Sequence, residues 1–196
     1  MKINIFRNLF NKKAKANDLS LIFTKEKFCI VKDQEKYPNI TPLVEDKVYA
    51  YRMFFCTKNS AEIEIVRIIN QFFKLESKEE SFHDAVLTFD NESVAYHSYN
   101  DFGGSVIRLI TNSEGLIRKI WAFHTTPPPP WVSFPHIDPD GLGSMQGNLS
   151  FWWDWMWLPF WKSMDASEQK KYLIAHSAPS SWVEYFEFYE NYINEK

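Results

Sequence analysis

Apolar and polar residues alternate along this chain with two different periods, and the places where the period changes divide it into elements. The clearest element is Asn59–Glu76. There Ile65, Ile68, Ile69, Phe72 and Phe73 recur at helical intervals and define one apolar face. Asn59 followed by Glu62 at the third position has the form of a capping box. Before it, the two short runs Leu19–Phe23 and Lys27–Lys32 read as strands of a hairpin around Thr24–Glu26. Tyr37–Pro42 reads as loop and Lys47–Thr57 as a strand rich in Val, Tyr, Phe and Met.

After the helix the pattern shifts toward alternation. Asp84–Phe89 and Ser93–Tyr99 flank a turn at Asp90–Glu92, and Val106–Thr111 and Leu116–Phe123 flank Asn112–Gly115. Together they predict a four-strand antiparallel meander. Thr125–Pro130 reads as a stiff extended spacer and Pro135–Gly147 as loop, with a turn at Pro139-Asp140-Gly141. Three helical segments follow. Gln146–Met164 carries the tryptophans, Asp165–His176 opens on an Asp cap with Glu168 at the third position, and Ser180–Glu195 opens on Ser. Strands, then a helix, then strands, then helices argue for an α+β fold rather than a doubly wound parallel sheet. The expectation is a single domain over residues 1–196. Within it lie a basic segment at 1–17, a Pro/Gly-containing loop at 125–147 and a Trp-rich helical part at 148–196.

The tryptophans change the picture of that last part. Trp152, Trp153, Trp155, Trp157 and Trp161 fall within ten residues. On a helix, positions 153, 157, 160 and 161 share one face, whereas 152, 155 and 159 lie on another. Such a helix needs cover on more than one side. Pro159 lacks the N–H for the helical ladder, which predicts a kink or break near Met156. The packed arrangement wedges this segment between the sheet and the last two helices. The alternative leaves some indoles, Trp152 and Trp155 among them, as anchors on a partner surface.

Composition adds little about chemistry. Aromatic residues are 17% of the chain, and the formal net charge is −3, which argues against nucleic-acid binding as the main role. The charge is unevenly spread. Residues 1–17 carry five bases and no acid, a pattern that fits a short basic amphipathic helix. Acidic runs include Glu76, Glu79, Glu80 and Asp84, and later Glu184, Glu187 and Glu190. These suit docking of a basic partner. Cys29 and Cys56 fall in apolar runs and read as free buried thiols. Charges at Lys2 and Arg7 interrupt the first apolar run, so no export signal forms. No window reaches the length of a membrane span, and a soluble cytoplasmic protein is expected.

No catalytic or metal-binding pattern emerges. His136-Ile137-Asp138-Pro139-Asp140 has metal-ligand residue types but reads as a turn. Gly141–Gly147 lacks the Lys-Ser/Thr of a phosphate loop, and Ser144 lacks the flanking glycines of a nucleophile elbow. His97 beside a carboxylate is the nearest approach to a general base, and it reads as a satisfied sheet histidine. No cofactor is expected. The stretch Leu149–Tyr172, with Trp152-Trp153, Trp157-Leu158-Pro159-Phe160-Trp161 and Ser167-Glu168, loosely resembles the C-terminal part of bacterial immunity proteins. Those proteins belong to polymorphic toxin systems associated with contact-dependent or type VI secretion. The resemblance implies a non-enzymatic protein that neutralises a cognate toxin, such as a basic nuclease, by direct occlusion. Its surface would include Glu76, Glu79, Glu80, Asp84, Trp152, Trp155, Glu184, Glu187 and Glu190. A second expectation is a small-ligand or hydrolytic domain, with a Trp-lined pocket and His97, His124 or His136 as its polar groups.

Overall fold

The computed structural model describes residues 15–32, 36–75 and 84–194. Five strands form one antiparallel sheet in the order β1-β2-β5-β4-β3. They are β1 (Ile40–Pro42), β2 (Tyr51–Thr57), β3 (Asp84–Phe89), β4 (Glu92–Asp101) and β5 (Gly104–Thr111). The helices are α1 (Lys15–Ile22), α2 (Asn59–Phe72), α3 (Glu114–Ala122), α4 (Pro130–Ser133), α5 (Gly147–Trp152), α6 (Leu158–Lys162), α7 (Ala166–Ala175) and α8 (Ser180–Asn194). The fold is α+β, with its later helices gathered in the C-terminal part. Among the described residues no helix is long and apolar enough to cross a membrane.

Alternation along the strands gives the sheet two apolar faces. On one, Met53 and Phe55 of β2, Tyr96 of β4, and Ile107 and Leu109 of β5 meet Ile65 and Ile69 of α2 and Ile117 and Ile120 of α3. The other face is covered in two places. Leu19 and Phe23 from the α1 region pack on Val86, Ala95 and Ile110. Cys56 and Val106 meet the aromatic cluster of the C-terminal half.

Several expected elements change type. Leu116–Phe123, which the sequence pattern predicts as a strand, falls in α3 up to Ala122. Leu116, Ile117, Ile120 and Trp121 are its buried positions, which is a helical rather than an alternating pattern. Ser113 caps it, its Oγ accepting from the Leu116 N–H. The meander therefore has three strands, β3-β4-β5, and β2 pairs with β5 in place of a fourth. The expected hairpin at Leu19–Lys32 is also absent. Leu19 and Phe23, one helical turn apart, are buried at the end of α1, and Lys25–Lys27 is a 3-10 turn. Cys29 follows in irregular chain and is exposed, not buried. Its thiol lies 3.4 Å from a carboxylate oxygen of Glu114. Partial burial is the main cause that raises its pKa, and Glu114 adds to it. Cys56 is buried as expected, and burial pushes its thiol up to about 12. The basic segment 1–14 lies outside the described residues.

The capping box expected at Asn59 and Glu62 is not formed. The cap position is Lys58, which caps with no side-chain bond, and Asn59 already belongs to the helix. Both side chains turn to the sheet instead. Ser105 Oγ lies 2.5 Å from Glu62 Oε2 and 2.9 Å from Asn59 Oδ1, and the Tyr96 hydroxyl donates to Glu62 Oε1 at 3.2 Å. The start of α2 is thus tied to β4 and β5 by charge-assisted bonds. A second buried network ends β5. Asn112 Oδ1 accepts from the Ser93 N–H at 2.7 Å, and its Nδ2 donates to the Asn91 and Lys27 carbonyls.

The β4–β5 hairpin turns on Phe102 and Gly103, whose φ values of 54° and 72° are those of a type I′ turn. A phenylalanine in the left-handed region is strained. Its ring is held by Phe134 at 5.8 Å and Phe151 at 6.5 Å.

The proline run, expected as a stiff extended spacer, is a buried joint: Pro127 to Pro130 are all buried. It passes between the end of the sheet and the helical half. A Cβ on Gly104 would overlap the Thr57 carbonyl oxygen and come 2.8 Å from Pro128 Cγ. On the other side the Tyr172 hydroxyl of α7 donates to the Pro127 carbonyl at 3.1 Å.

The tryptophan segment is continuous from α5 into α6 through a π-helical stretch, Trp153–Trp157. Its cause is Pro159. With no N–H to give to residue 155, and with its ring crowding that carbonyl, the ladder widens one turn earlier. The break expected near Met156 thus takes this form. The segment is wedged as the packed arrangement requires. Trp157 stacks on Trp152 at 5.7 Å and on Trp161 at 5.5 Å, and Trp161 stacks on Phe186 of α8 at 4.2 Å.

Two substitutions test the joint by thermal and denaturant unfolding. Gly104→Ala is expected to cost about 1–3 kcal/mol through overlap with backbone that cannot move aside. Tyr172→Phe leaves the Pro127 carbonyl without its donor and is expected to cost about 1–3 kcal/mol, lowering Tm by roughly 2–4 °C per kcal/mol. Variants that unfold like the parent chain would show that the joint is not under load.

Candidate functional site

The outer surface of α7 and α8 brings together more of the expected contact residues than any other described region. Asp165 caps α7 through a complete capping box, its carboxylate accepting from the Glu168 N–H at 2.8 Å while Glu168 accepts from the Asp165 N–H at 2.9 Å. Gln169, Tyr172 and Leu173 are the inward positions of the helix. Gln169 Nε2 donates to the Trp161 carbonyl at 2.9 Å, which docks α7 on α6. Ser177 takes a left-handed φ of 50° and reverses the chain. The Pro179 carbonyl then accepts from the Trp182 and Val183 N–H groups and opens α8. Trp182 and Phe186 turn inward from α8.

What remains outward is unusual. Ile174 is 72% exposed and Phe188 71% exposed. Between the two helices runs a groove of about 500 Å³, walled by Leu173, Ile174, Val183 and Phe186, with Lys170 and Glu187 at its edges. Glu184 and Glu187 are both exposed, and Glu184 lies one helical turn before Phe188. This surface can hold an apolar partner side chain beside carboxylates.

The other expected contact residues are dispersed. Glu190 falls in α8, but its side chain is not among those described. Glu76, Glu79 and Glu80 lie outside the described residues. Asp84 is on β3, the edge strand farthest from β1. It is cross-strand from His97, with Oδ1 and Nδ1 2.7 Å apart. Trp152 is wholly buried and has no surface to offer a partner, so it anchors the core instead. Trp155 is 54% exposed, the exception among the eight tryptophans, because its neighbours Trp153 and Trp157 take the side of the segment that meets α8.

The three histidines of the small-ligand expectation occupy separate places. His97 is bound into the sheet with Asp84. His124 is exposed at a left-handed turn, φ 52°, after α3. His136 is exposed in the loop, where the neighbouring Asp138 accepts from the Asp140 N–H as a turn cap. Among the described residues no group of three His, Cys, Asp or Glu side chains could hold a metal ion.

Sequence reasoning passed over His176, to which the structure gives a defined partner on each ring nitrogen. Its Nδ1 lies 2.9 Å from the Tyr172 carbonyl, its Nε2 lies 3.2 Å from Lys58 Nζ, and its ring stacks on Tyr172 at 3.9 Å. A carbonyl accepts and an ammonium donates. Nδ1 therefore carries the proton and Nε2 receives the lysine. Burial, and then the Lys58 charge, hold its pKa below the ordinary value. The nearest sequence signal is its position at the end of a predicted helix, one turn past Tyr172.

A neutral folded histidine has a definite consequence for stability. The unfolded chain binds the proton more readily, so the contribution of His176 is fully present above its unfolded pKa. It is lost as pH falls through that value toward the lower folded one. An NMR titration is expected to show His176 titrating below the ordinary histidine value. In Lys58→Gln its pKa should rise only in part, because burial is the larger cause. No family model, curated protein or solved structure matches this chain.

Proposed function

We propose that this chain is a cytoplasmic immunity protein that neutralises a cognate bacterial toxin by direct occlusion, and that α7 and α8 supply the contact surface. One observation carries the reading. Ile174, on the wall of an apolar groove that Glu187 also lines, and Phe188 of α8 both stand out in water, with Glu184 one helical turn before Phe188. Covering a side chain of that size is worth about 1.5–3 kcal/mol, so the pair supplies a useful part of a tight complex. Aromatic and aliphatic anchors set in a pocket are the usual energetic centre of such contacts. The carboxylates add orientation and association rate toward a basic partner such as a nuclease. The resemblance of Leu149–Tyr172 to immunity proteins supports the same class.

Co-expression of the chain with the product of the neighbouring reading frame is the test. A stable complex and relief of toxicity are expected. Ile174→Asp with Phe188→Asp should weaken the complex roughly ten- to a hundredfold without loss of fold, in line with hot-spot truncations. Glu184→Lys with Glu187→Lys should slow association and flatten its salt dependence. A harmless neighbour that forms no complex would sink the proposal, as would a complex indifferent to both double variants.

A further inference from the structure

A second groove lies on the side of α7 away from α8. It is larger, about 880 Å³, within the range of roughly 300–1,000 Å³ typical of small-molecule sites. Its floor is aromatic. Trp121, Phe160 and Tyr172 are all at least nine-tenths buried, and half-buried Tyr37 completes the floor. These rings are fixed rather than loose. The Trp121 indole N–H donates to the Pro38 carbonyl at 2.9 Å, Tyr172 is held by its bond to Pro127, and Tyr37 and Phe160 meet edge-to-face at 5.3 Å.

The charge of the groove runs against that of the chain. A protein with a formal net charge of −3 lines this groove with Lys36, Lys171 and Arg118, the last already paired with Glu114 at 2.6 Å, and with one carboxylate, Glu168. Glu168 already accepts from the Asp165 N–H in the capping box. Lys36 sits over the Trp121 ring, its Nζ 5.7 Å from the centroid. His176, neutral in the folded protein, forms part of the wall.

The wall also holds an unmet polar group. Thr125 is 3% exposed and lines the groove, and its hydroxyl has no hydrogen-bond partner among the described residues. A buried hydroxyl without a partner destabilises a fold, so such groups call for an explanation. Fixed rings, two lysines and an orphaned hydroxyl together suit a flat anionic molecule.

We propose that this groove binds a small planar aromatic molecule carrying an anionic group of the phosphate type. The ring lies against half-buried Tyr37 and the accessible edges of Trp121 and Phe160, where aromatic contact is favourable. The anion faces Lys36 and Lys171, as charge-assisted bonds require. The wall opens slightly on binding to let an oxygen of the ligand reach the Thr125 hydroxyl, which is otherwise sealed from solvent. This inference is independent of the docking surface on α7 and α8, since Lys171 and Lys170 belong to different grooves.

The test uses the full chain and three probes: 1-naphthyl phosphate, 1-naphthol and inorganic phosphate. Binding is followed by calorimetry and by quenching of tryptophan emission. Naphthyl phosphate is expected to bind at least tenfold more tightly than either naphthol or phosphate alone. Lys171→Glu should weaken it at least tenfold, and Lys170→Glu should leave it unchanged. Thr125→Val separates a ligand role from a structural one. Removing an unpartnered buried hydroxyl should raise the Tm of the ligand-free protein by roughly 2–4 °C while weakening naphthyl phosphate binding severalfold, and Thr125→Ser should restore that binding. Equal binding of naphthol and naphthyl phosphate would overturn the proposal. So would affinity indifferent to Lys171→Glu, or a Thr125→Val variant that binds as the parent does.

Discussion

The structure turns on how a run of four prolines can be buried. A buried backbone must satisfy every N–H and every carbonyl, which ordinarily excludes irregular chain from an interior. Pro127 to Pro130 carry no N–H at all, so only carbonyls need partners. Each of them is met in turn. The Thr57 hydroxyl donates to the carbonyl of Thr126, Tyr172 to that of Pro127, and the Ser133 hydroxyl to that of Pro128. The Pro129 carbonyl accepts from the Val132 and Ser133 N–H groups and that of Pro130 from Phe134 N–H, which starts and closes α4. The donors come from β2, from α4 and from α7, so one extended segment fastens the sheet to the helical half.

The remaining architecture follows from that fastening. Because the chain returns across the end of the sheet, the tryptophan segment lands on the face that carries Cys56 and Val106. There it must be covered from both sides. The sheet supplies one side, and α7 and α8 the other. Trp152 and Trp157 are packed so completely that their indole N–H groups find no acceptor among the described residues. Leaving such a donor unmade costs about 1–3 kcal/mol, while each well-placed ring pair returns about 0.5–1.5 kcal/mol. The several ring contacts made by Trp157 outweigh its single unmet bond. Packing in this half is therefore chosen over hydrogen bonding, the reverse of the polar knots around Asn112 and Glu62.

The features legible in the sequence are those decided locally. The apolar face of α2, the Asp165–Glu168 cap and the disruption caused by Pro159 each depend on residues within one or two turns. The misread elements are those decided by distant partners. Leu116–Phe123 has enough β-branched and aromatic character to suit a strand, and only the buried set Leu116, Ile117, Ile120 and Trp121 shows its period to be helical. Asn59 and Glu62 have the right types for a cap but are drawn off by Ser105, more than forty positions later. The candidate surface divides in the same way. Glu184 and Glu187 are visible as charge in any context. That Ile174 and Phe188 stand outside the core, and that Trp152 lies inside it, depends on which helix covers which. The groove at Trp121 and Thr125 joins residues from segments far apart in the chain, so no local pattern announces it.

The tryptophans have a consequence of another kind. Trp131 lies 6.0 Å from Trp182, Trp182 6.5 Å from Trp153, and Trp153 6.4 Å from both Trp152 and Trp157, with Trp161 5.5 Å beyond Trp157. Six indoles at such spacings do not absorb or emit as separate chromophores. Light taken up by one is shared along the row and leaves from whichever ring lies lowest in energy. The helical half thus acts as a single optical antenna, in which a disturbance at either end of the row alters the emission of the whole.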